Sequence, residues 1–245
     1  MITREFHSTG LKLVTACVAS ILFHITVDAE EPRQTEESFA AGVTKTFAYK
    51  YLKYLPDGYD GKKKFPLLLF LHGAGERGDN LDLVTKHGPP KLIKKGKQFP
   101  FIVISPQCPK GSWWKANGLD ALLDEFISKH AVDESRIYCT GLSMGGYGTW
   151  ALGGQNPKRF AAFAPICGGG NRIDARQIKK KPVWVFHGAK DSTVPLEESQ
   201  RMVDALKRYG GKPKFTIYPD ANHDSWTETY NNPKLYEWFL SHKNE

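Results

Sequence analysis

The chain has 245 residues, 40% of them hydrophobic and 12% aromatic, enough apolar material for a substantial buried core. Charged residues at 24% beside that aromatic content exclude a disordered or low-complexity chain. The formal net charge of +8 sits largely in three lysine clusters whose placement, described below, gives no reason to expect nucleic acid as a partner.

Arg4 and Lys12 precede an apolar run, Leu13 to Val27, interrupted by His24 and a few small residues. Val27-Asp28-Ala29 then offers small residues where a signal peptidase reads, which places a cut before Glu30. The run falls short of the roughly 18 apolar residues a membrane span needs. Residues 1–29 therefore read as a signal peptide, and the mature chain as secreted or periplasmic without an integral membrane span. An uncleaved anchor and a lipoprotein signal at Val14-Thr15-Ala16-Cys17 are the weaker readings; few apolar residues precede Cys17, and the run continues past it.

Residues 30–45 are polar, contain Pro32 and read as a linker to one catalytic domain over 46–245. Thr44 to Leu55 holds the first strand or two and ends at the turn Pro56-Asp57-Gly58. Phe65–Leu71 and Ile102–Ser105 are continuous apolar runs, as expected of strands buried on both faces. Between and after them lie Leu119, Leu122, Leu123, Phe126 and Ile127, which share one face of a helix. Ile137–Thr140, Phe160–Ile166, Val183–Phe186 and Phe215–Tyr218 read as further strands. Helices are expected near Leu196–Tyr209 and Leu235–Leu240. Alternation of this kind implies a mostly parallel, doubly wound α/β sheet in a single domain.

The lysine clusters Lys62-Lys63-Lys64, Lys94-Lys95 with Lys97, and Lys179-Lys180-Lys181 each precede a strand-like run. Strand starts of a parallel sheet lie opposite the end where ligands bind, so these cations shield strands rather than face a substrate. Cys139 falls within a strand and reads as a buried core residue. Cys108 and Cys167 each follow a strand near the upper rim, where an oxidising compartment would allow them to pair if their backbones come close enough. No Cys/His spacing suits zinc, and neither metal nor organic cofactor is expected.

Gly141-Leu142-Ser143-Met144-Gly145 follows the strand Ile137–Thr140 and precedes a glycine-dense helical segment. This is the G-x-S-x-G turn that exposes a serine hydroxyl at the top of a sheet. A serine is a weak nucleophile without a base, and the base needs an orienting acid. His223 lies in the loop after the last strand and is the candidate base; Asp191, in the loop after the preceding strand, is the candidate acid. His187 reads as a hydrogen-bonded histidine at a strand end, and His242 as a solvated one near the terminus. Asp220 and Asp224 flank His223 too closely to orient it and read as loop-stabilising. Donors for an oxyanion are expected from the amide of Met144 and from the loop His72 to Gly78, where Ala74 is the first choice and Gly75 the second. His72 braces that loop without reacting.

His72-Gly73-Ala74-Gly75-Glu76-Arg77-Gly78, Ser105-Pro106-Gln107-Cys108-Pro109, Gly141 to Gly148, Pro165 to Gly170 and His223-Asp224-Ser225-Trp226 together resemble one group of proteins. It comprises the small secreted α/β-hydrolase esterases related to feruloyl esterases, polyhydroxybutyrate depolymerases and the catalytic domain of prolyl oligopeptidase. The resemblance spans roughly residues 46–243. It implies an α/β-hydrolase fold and a carboxylic-ester hydrolase, often one acting on ester decorations of plant cell-wall polysaccharide, with Ser143, Asp191 and His223 at the triad positions. The substrate would be a small-molecule or polymer-linked ester. No stretch is long enough for the β-propeller of prolyl oligopeptidases, and 167–182 is too short for a lipase lid, so an open site is expected. Trp113, Trp114 and Trp226 fall near its rim, where aromatics stack on a sugar or phenolic ring. A serine exopeptidase and a non-catalytic carbohydrate-binding scaffold are the rival classes. The acyl group, the alcohol and the oligomeric state are not legible in the sequence.

Overall fold

The computed structural model describes residues 45–244. The signal peptide expected over 1–29 and all but the last residue of the linker lie outside the described residues. Among the described residues no helix is long and apolar enough to cross a membrane.

Among the described residues seven strands form one sheet: β1 (Tyr51–Tyr54), β2 (Phe65–Leu71), β3 (Ile102–Pro106), β4 (Val132–Leu142), β5 (Ala162–Ile166), β6 (Trp184–Gly188) and β7 (Lys214–Tyr218). Their order is β1-β3-β2-β4-β5-β6-β7, with β1 antiparallel and all other pairs parallel. This is the expected α/β-hydrolase sheet. The apolar runs become strands because both faces are covered: Leu67, Leu69 and Leu71 point into one core, Leu68 and Phe70 into the other. Each such side chain contributes about 1.5–3 kcal/mol by leaving water.

The first core packs against α2 (Ala116–Lys129), α3 (Met144–Gln155), α4 (Arg172–Gln177) and α5 (Leu196–Arg208). On the other face lie α1 (Gly88–Lys94), α6 (Trp226–Asn231) and α7 (Pro233–Leu240). The helix expected around Leu119–Ile127 is present and longer at both ends. Strand β4 also exceeds its expected bounds, because Asp133 to Arg136 extend it on the polar side of its apolar stretch.

The parallel part of the sheet begins at β2; the chain moves outward to β3, then crosses back to β4 on the other side of β2. Such a reversal opens a crevice beyond the carboxyl ends of the two central strands. Register keeps those ends level: Leu71 pairs with Gly141, Leu142 with Ile166, and Gly188 with Tyr218. The loops leaving this edge carry His72 to Glu76, Ser143, Cys167, Asp191 and His223. Lysines gather at the opposite edge, as expected. There the Lys63 Nζ lies 5.3 Å from the Phe65 ring centre, and the Lys97 Nζ lies 4.7 Å from that of Tyr236.

Candidate active site

Ser143 sits between β4 and α3 at φ 52° and ψ −117°, a conformation that L-residues rarely adopt. The backbone holds it there: the Ser143 amide donates to the Ile166 carbonyl at 2.9 Å, and the Ser143 carbonyl accepts from the Tyr147 amide at 3.1 Å. Two glycines make room for the turn. A Cβ on Gly145 would lie 1.9 Å from the Leu71 carbonyl oxygen, and one on Gly141 would lie 2.4 Å from that of Gly145. No side chain fits against backbone at those distances.

The Ser143 hydroxyl lies 3.0 Å from His223 Nε2, and His223 Nδ1 lies 2.7 Å from Asp191 Oδ2. Three loops on one sheet edge thus bring the sequence-nominated nucleophile, base and acid into a single hydrogen-bonded chain. Asp191 is closed off from solvent, whereas the His223 side chain keeps 22% of its exposure. Asp191 Oδ1 accepts from the Thr193 and Val194 amides, each at 2.9 Å, which fixes the carboxylate plane. Asp220 pairs with Lys190 at 2.7 Å, and Asp224 accepts from the Thr227 amide and hydroxyl. Both hold the loop and leave His223 free, as expected.

The loop after β2 lies against this turn: a Cβ on Gly73 would be 2.8 Å from Leu142 Cδ1. The Gly73 amide is occupied, donating to Glu76 Oε2 at 3.0 Å. Ala74 opens a 3-10 turn, Ala74–Glu76, and Met144 opens α3; amides at such positions have no acceptor within their own helix. They are therefore available to an external oxygen. Glu76 was not singled out by the sequence reading, although its position three residues after Gly73 is the spacing of a capping box. Its carboxylate is buried and its Oε1 lies 3.8 Å from His87 Nε2.

His72 is fully buried. Its Nε2 accepts from the Cys108 amide at 2.9 Å, so Nδ1 carries the hydrogen and donates to the Gly73 carbonyl at 2.6 Å. Burial holds its pKa down to about 4, opposed by the Gly73 hydrogen bond. The unfolded chain takes up this proton below its ordinary value of 6.5, the folded chain only near 4. The unfolded state therefore binds more protons between those values, and stability present above pH 6.5 is lost as pH falls towards 4, on the order of 3 kcal/mol. Urea denaturation at pH 7.5 and 4.5 should show a smaller loss for His72→Gln than for the native chain. An equal loss in both would contradict this account.

The three tryptophans part company. Trp113 is 54% exposed, and its ring stands edge-on to that of Tyr147 at 6.0 Å, one turn of α3 beyond Ser143. Trp226 is half-buried, edge-on to His223 at 5.1 Å, with its indole N–H donating to His87 Nδ1 at 3.2 Å. Trp114 does not reach the rim. It is buried beneath Gly148, and its indole N–H donates to the His72 carbonyl at 3.1 Å. Both neighbours meet α3, but Trp114 packs against its glycine, Gly148, and becomes an anchor, whereas Trp113 meets the outer Tyr147 and stays exposed. Gly75 is exposed on the Ala74–Glu76 turn.

Cys108, Cys139 and Cys167 are buried free thiols, so no bridge joins Cys108 to Cys167. Cys167 adopts φ 39°, and burial pushes its thiol up to about 12. Its Sγ, Asp191 and His223 place ligand-type atoms within 4.8 Å of one another. A metal there would have to ionise that buried thiol and break the Asp191–His223 hydrogen bond, so the arrangement fits proton transfer better than coordination. His242, expected in solvent, is instead partly buried against Trp238, with ring centres 4.9 Å apart. Burial lowers its pKa.

A model of the dienelactone hydrolase family matches residues 111–236, half of the chain. A protein of Aspergillus niger named "Probable feruloyl esterase C" is 25% identical over 200 residues, covering 78% of this chain and 73% of its own. A bifunctional acetylxylan esterase/xylanase of Neocallimastix patriciarum is 28% identical over 71% of this chain but only 26% of its own length. Among solved structures, a thermostable esterase aligns with TM-score 0.68 and 35% identity over 79% of this chain; this chain spans 59% of that one.

Proposed function

The chain belongs to the dienelactone hydrolase family, and from that premise we propose that it is a serine carboxylesterase acting through an acyl-enzyme. The observation that carries this reading is the continuous chain from Ser143 Oγ to His223 Nε2, at 3.0 Å, and from His223 Nδ1 to Asp191 Oδ2, at 2.7 Å. Ser143 Oγ bonds to the ester carbonyl carbon while its proton passes to His223 Nε2. Asp191 stabilises the imidazolium, and the Met144 and Ala74 amides hold the oxyanion. Collapse breaks the bond to the alcohol, which leaves with the proton from His223. Water then attacks the acyl carbon, giving its proton to His223, and the acid is released as Ser143 recovers it.

The names of the relatives favour esters of plant polysaccharide, feruloyl or acetyl, as the substrate class. The exposed Trp113, edge-on to Tyr147, supports a ring-bearing substrate. Among the described residues 167–182 hold only the short helix α4 and no lid, which suits a polymer-linked ester. The basic, apolar, small-residue pattern of residues 1–29 supports secretion.

A panel of acetyl, butyryl and feruloyl esters on model alcohols and on xylan, with a matched amide, tests the reading. Ester turnover should exceed amide turnover by orders of magnitude, and a fluorophosphonate should label Ser143. Rapid amide cleavage would point to a peptidase, and an unlabelled Ser143 would end the serine mechanism.

A further inference from the structure

His187 is next to last in β6, four residues before Asp191, and is fully buried. Its Nε2 lies 2.9 Å from the Val194 carbonyl oxygen and 3.2 Å from Asp191 Oδ2. A carbonyl oxygen accepts only, so Nε2 must carry a hydrogen; a bare nitrogen there would face a lone pair at 2.9 Å. That hydrogen goes to Val194, whose own amide donates to Asp191 Oδ1; Asp191 Oδ2 lies beside the ring at 3.2 Å and takes its hydrogen bond from His223.

On the far side of the ring, Nδ1 lies 2.7 Å from Ser199 Oγ, which in turn lies 2.9 Å from the Gly168 carbonyl. One hydroxyl hydrogen serves either Nδ1 or Gly168. In the first case His187 is neutral, in the second it is an imidazolium; Nε2 carries its hydrogen in both. The ring therefore ties the loop after β5, helix α5 and the loop bearing Asp191 together at the point opposite His223.

We infer that His187 is a positioning residue of the proposed reaction, its Nε2–H holding the Val194 carbonyl and with it the turn whose Thr193 and Val194 amides fix the Asp191 carboxylate, so that Oδ2 faces His223. The inference rests on the Ser143–His223–Asp191 reading above. The backbone amides of Thr193 and Val194 hold Oδ1, and without His187 the Val194 carbonyl of that turn loses its buried donor. His187 touches no substrate and transfers no proton.

Three variants separate this role from packing. Asparagine reaches only the Nδ1 position and keeps the Ser199 contact, whereas glutamine carries an N–H donor to the Nε2 position. With active sites counted by fluorophosphonate titration, His187→Asn should lower kcat roughly ten- to hundredfold, as loss of an orienting partner does, with KM little changed. His187→Gln should recover most of that loss. Equal loss in both variants, or loss in neither, overturns the inference. If the asparagine variant does not fold, nitrogen NMR of the native protein still decides: a protonated Nε2 on His187 is expected, and a bare Nε2 overturns the inference. Ser143→Ala distinguishes the two levels. Full ester turnover by that variant sinks the triad reading, whereas an inactive Ser143→Ala beside a fully active His187→Asn sinks only the role of His187.

Discussion

Ser143→Ala should reduce ester turnover by roughly 10⁵- to 10⁶-fold while leaving the far-ultraviolet circular dichroism and thermal midpoint unchanged. The size follows from what the hydroxyl does. In the proposed reaction it is the atom that bonds to the acyl carbon, and among the described residues no other hydroxyl stands on His223 Nε2. The structural neutrality follows from what it does not do, since Ser143 makes no side-chain cap for α3, and its turn is held by its own backbone and by Gly141 and Gly145. Substrate binding should survive, because the Ala74 and Met144 amides and the aromatic rim are untouched. Turnover of p-nitrophenyl acetate at the native rate by purified Ser143→Ala would refute the assignment outright.

Asp191→Asn should cost about 10⁴-fold in kcat with little change in KM. The groups that hydrogen-bond the carboxylate are all donors: the Thr193 and Val194 amides on Oδ1, and His223 Nδ1 on Oδ2, with the His187 ring beside it. An amide oxygen satisfies the two backbone N–H groups, which leaves its NH2 facing both imidazoles. His223 must then accept at Nδ1 and carry its hydrogen on Nε2, pointing at Ser143, where it no longer serves as a base. Asp191→Ala removes the negative charge as well but leaves His223 free to choose its tautomer. The asparagine variant should therefore be no more active than the alanine variant, despite its closer shape. A pre-steady-state burst of native size from Asp191→Asn would show that acylation does not depend on this carboxylate.

Glu76 and His187 illustrate how function hides in residues with no motif of their own. Each is a buried polar side chain held by particular neighbours, and each braces a segment that carries a group nominated for chemistry. Buried polar atoms must find partners, so their position is fixed more tightly than that of exposed residues such as Trp113. Glu76 occupies the Gly73 amide and so leaves the next amides of the loop without an internal acceptor. Its effect runs through backbone geometry, which a sequence pattern does not display.

Most of the fold was legible in the chain itself. Continuous apolar runs at Phe65–Leu71 and Ile102–Ser105 can be buried only as inner strands, and their alternation with helical patterns leaves a parallel sheet as the economical arrangement. The G-x-S-x-G turn was legible for a similar reason: its glycines answer a steric demand between backbone atoms a few residues apart. The order Ser143, Asp191, His223, after β4, β6 and β7, was readable because topology carries each strand end to the same edge. Tertiary packing alone decided the rest. It chose Trp113 for the surface and Trp114 for the interior, held Cys108 and Cys167 apart as free thiols, drew His242 against Trp238 and set His187 on Asp191. Each depends on which side of a loop meets a neighbour distant in sequence. Local patterns encode the period of a strand or helix, whereas the partner of a loop side chain is fixed only once the whole sheet has formed.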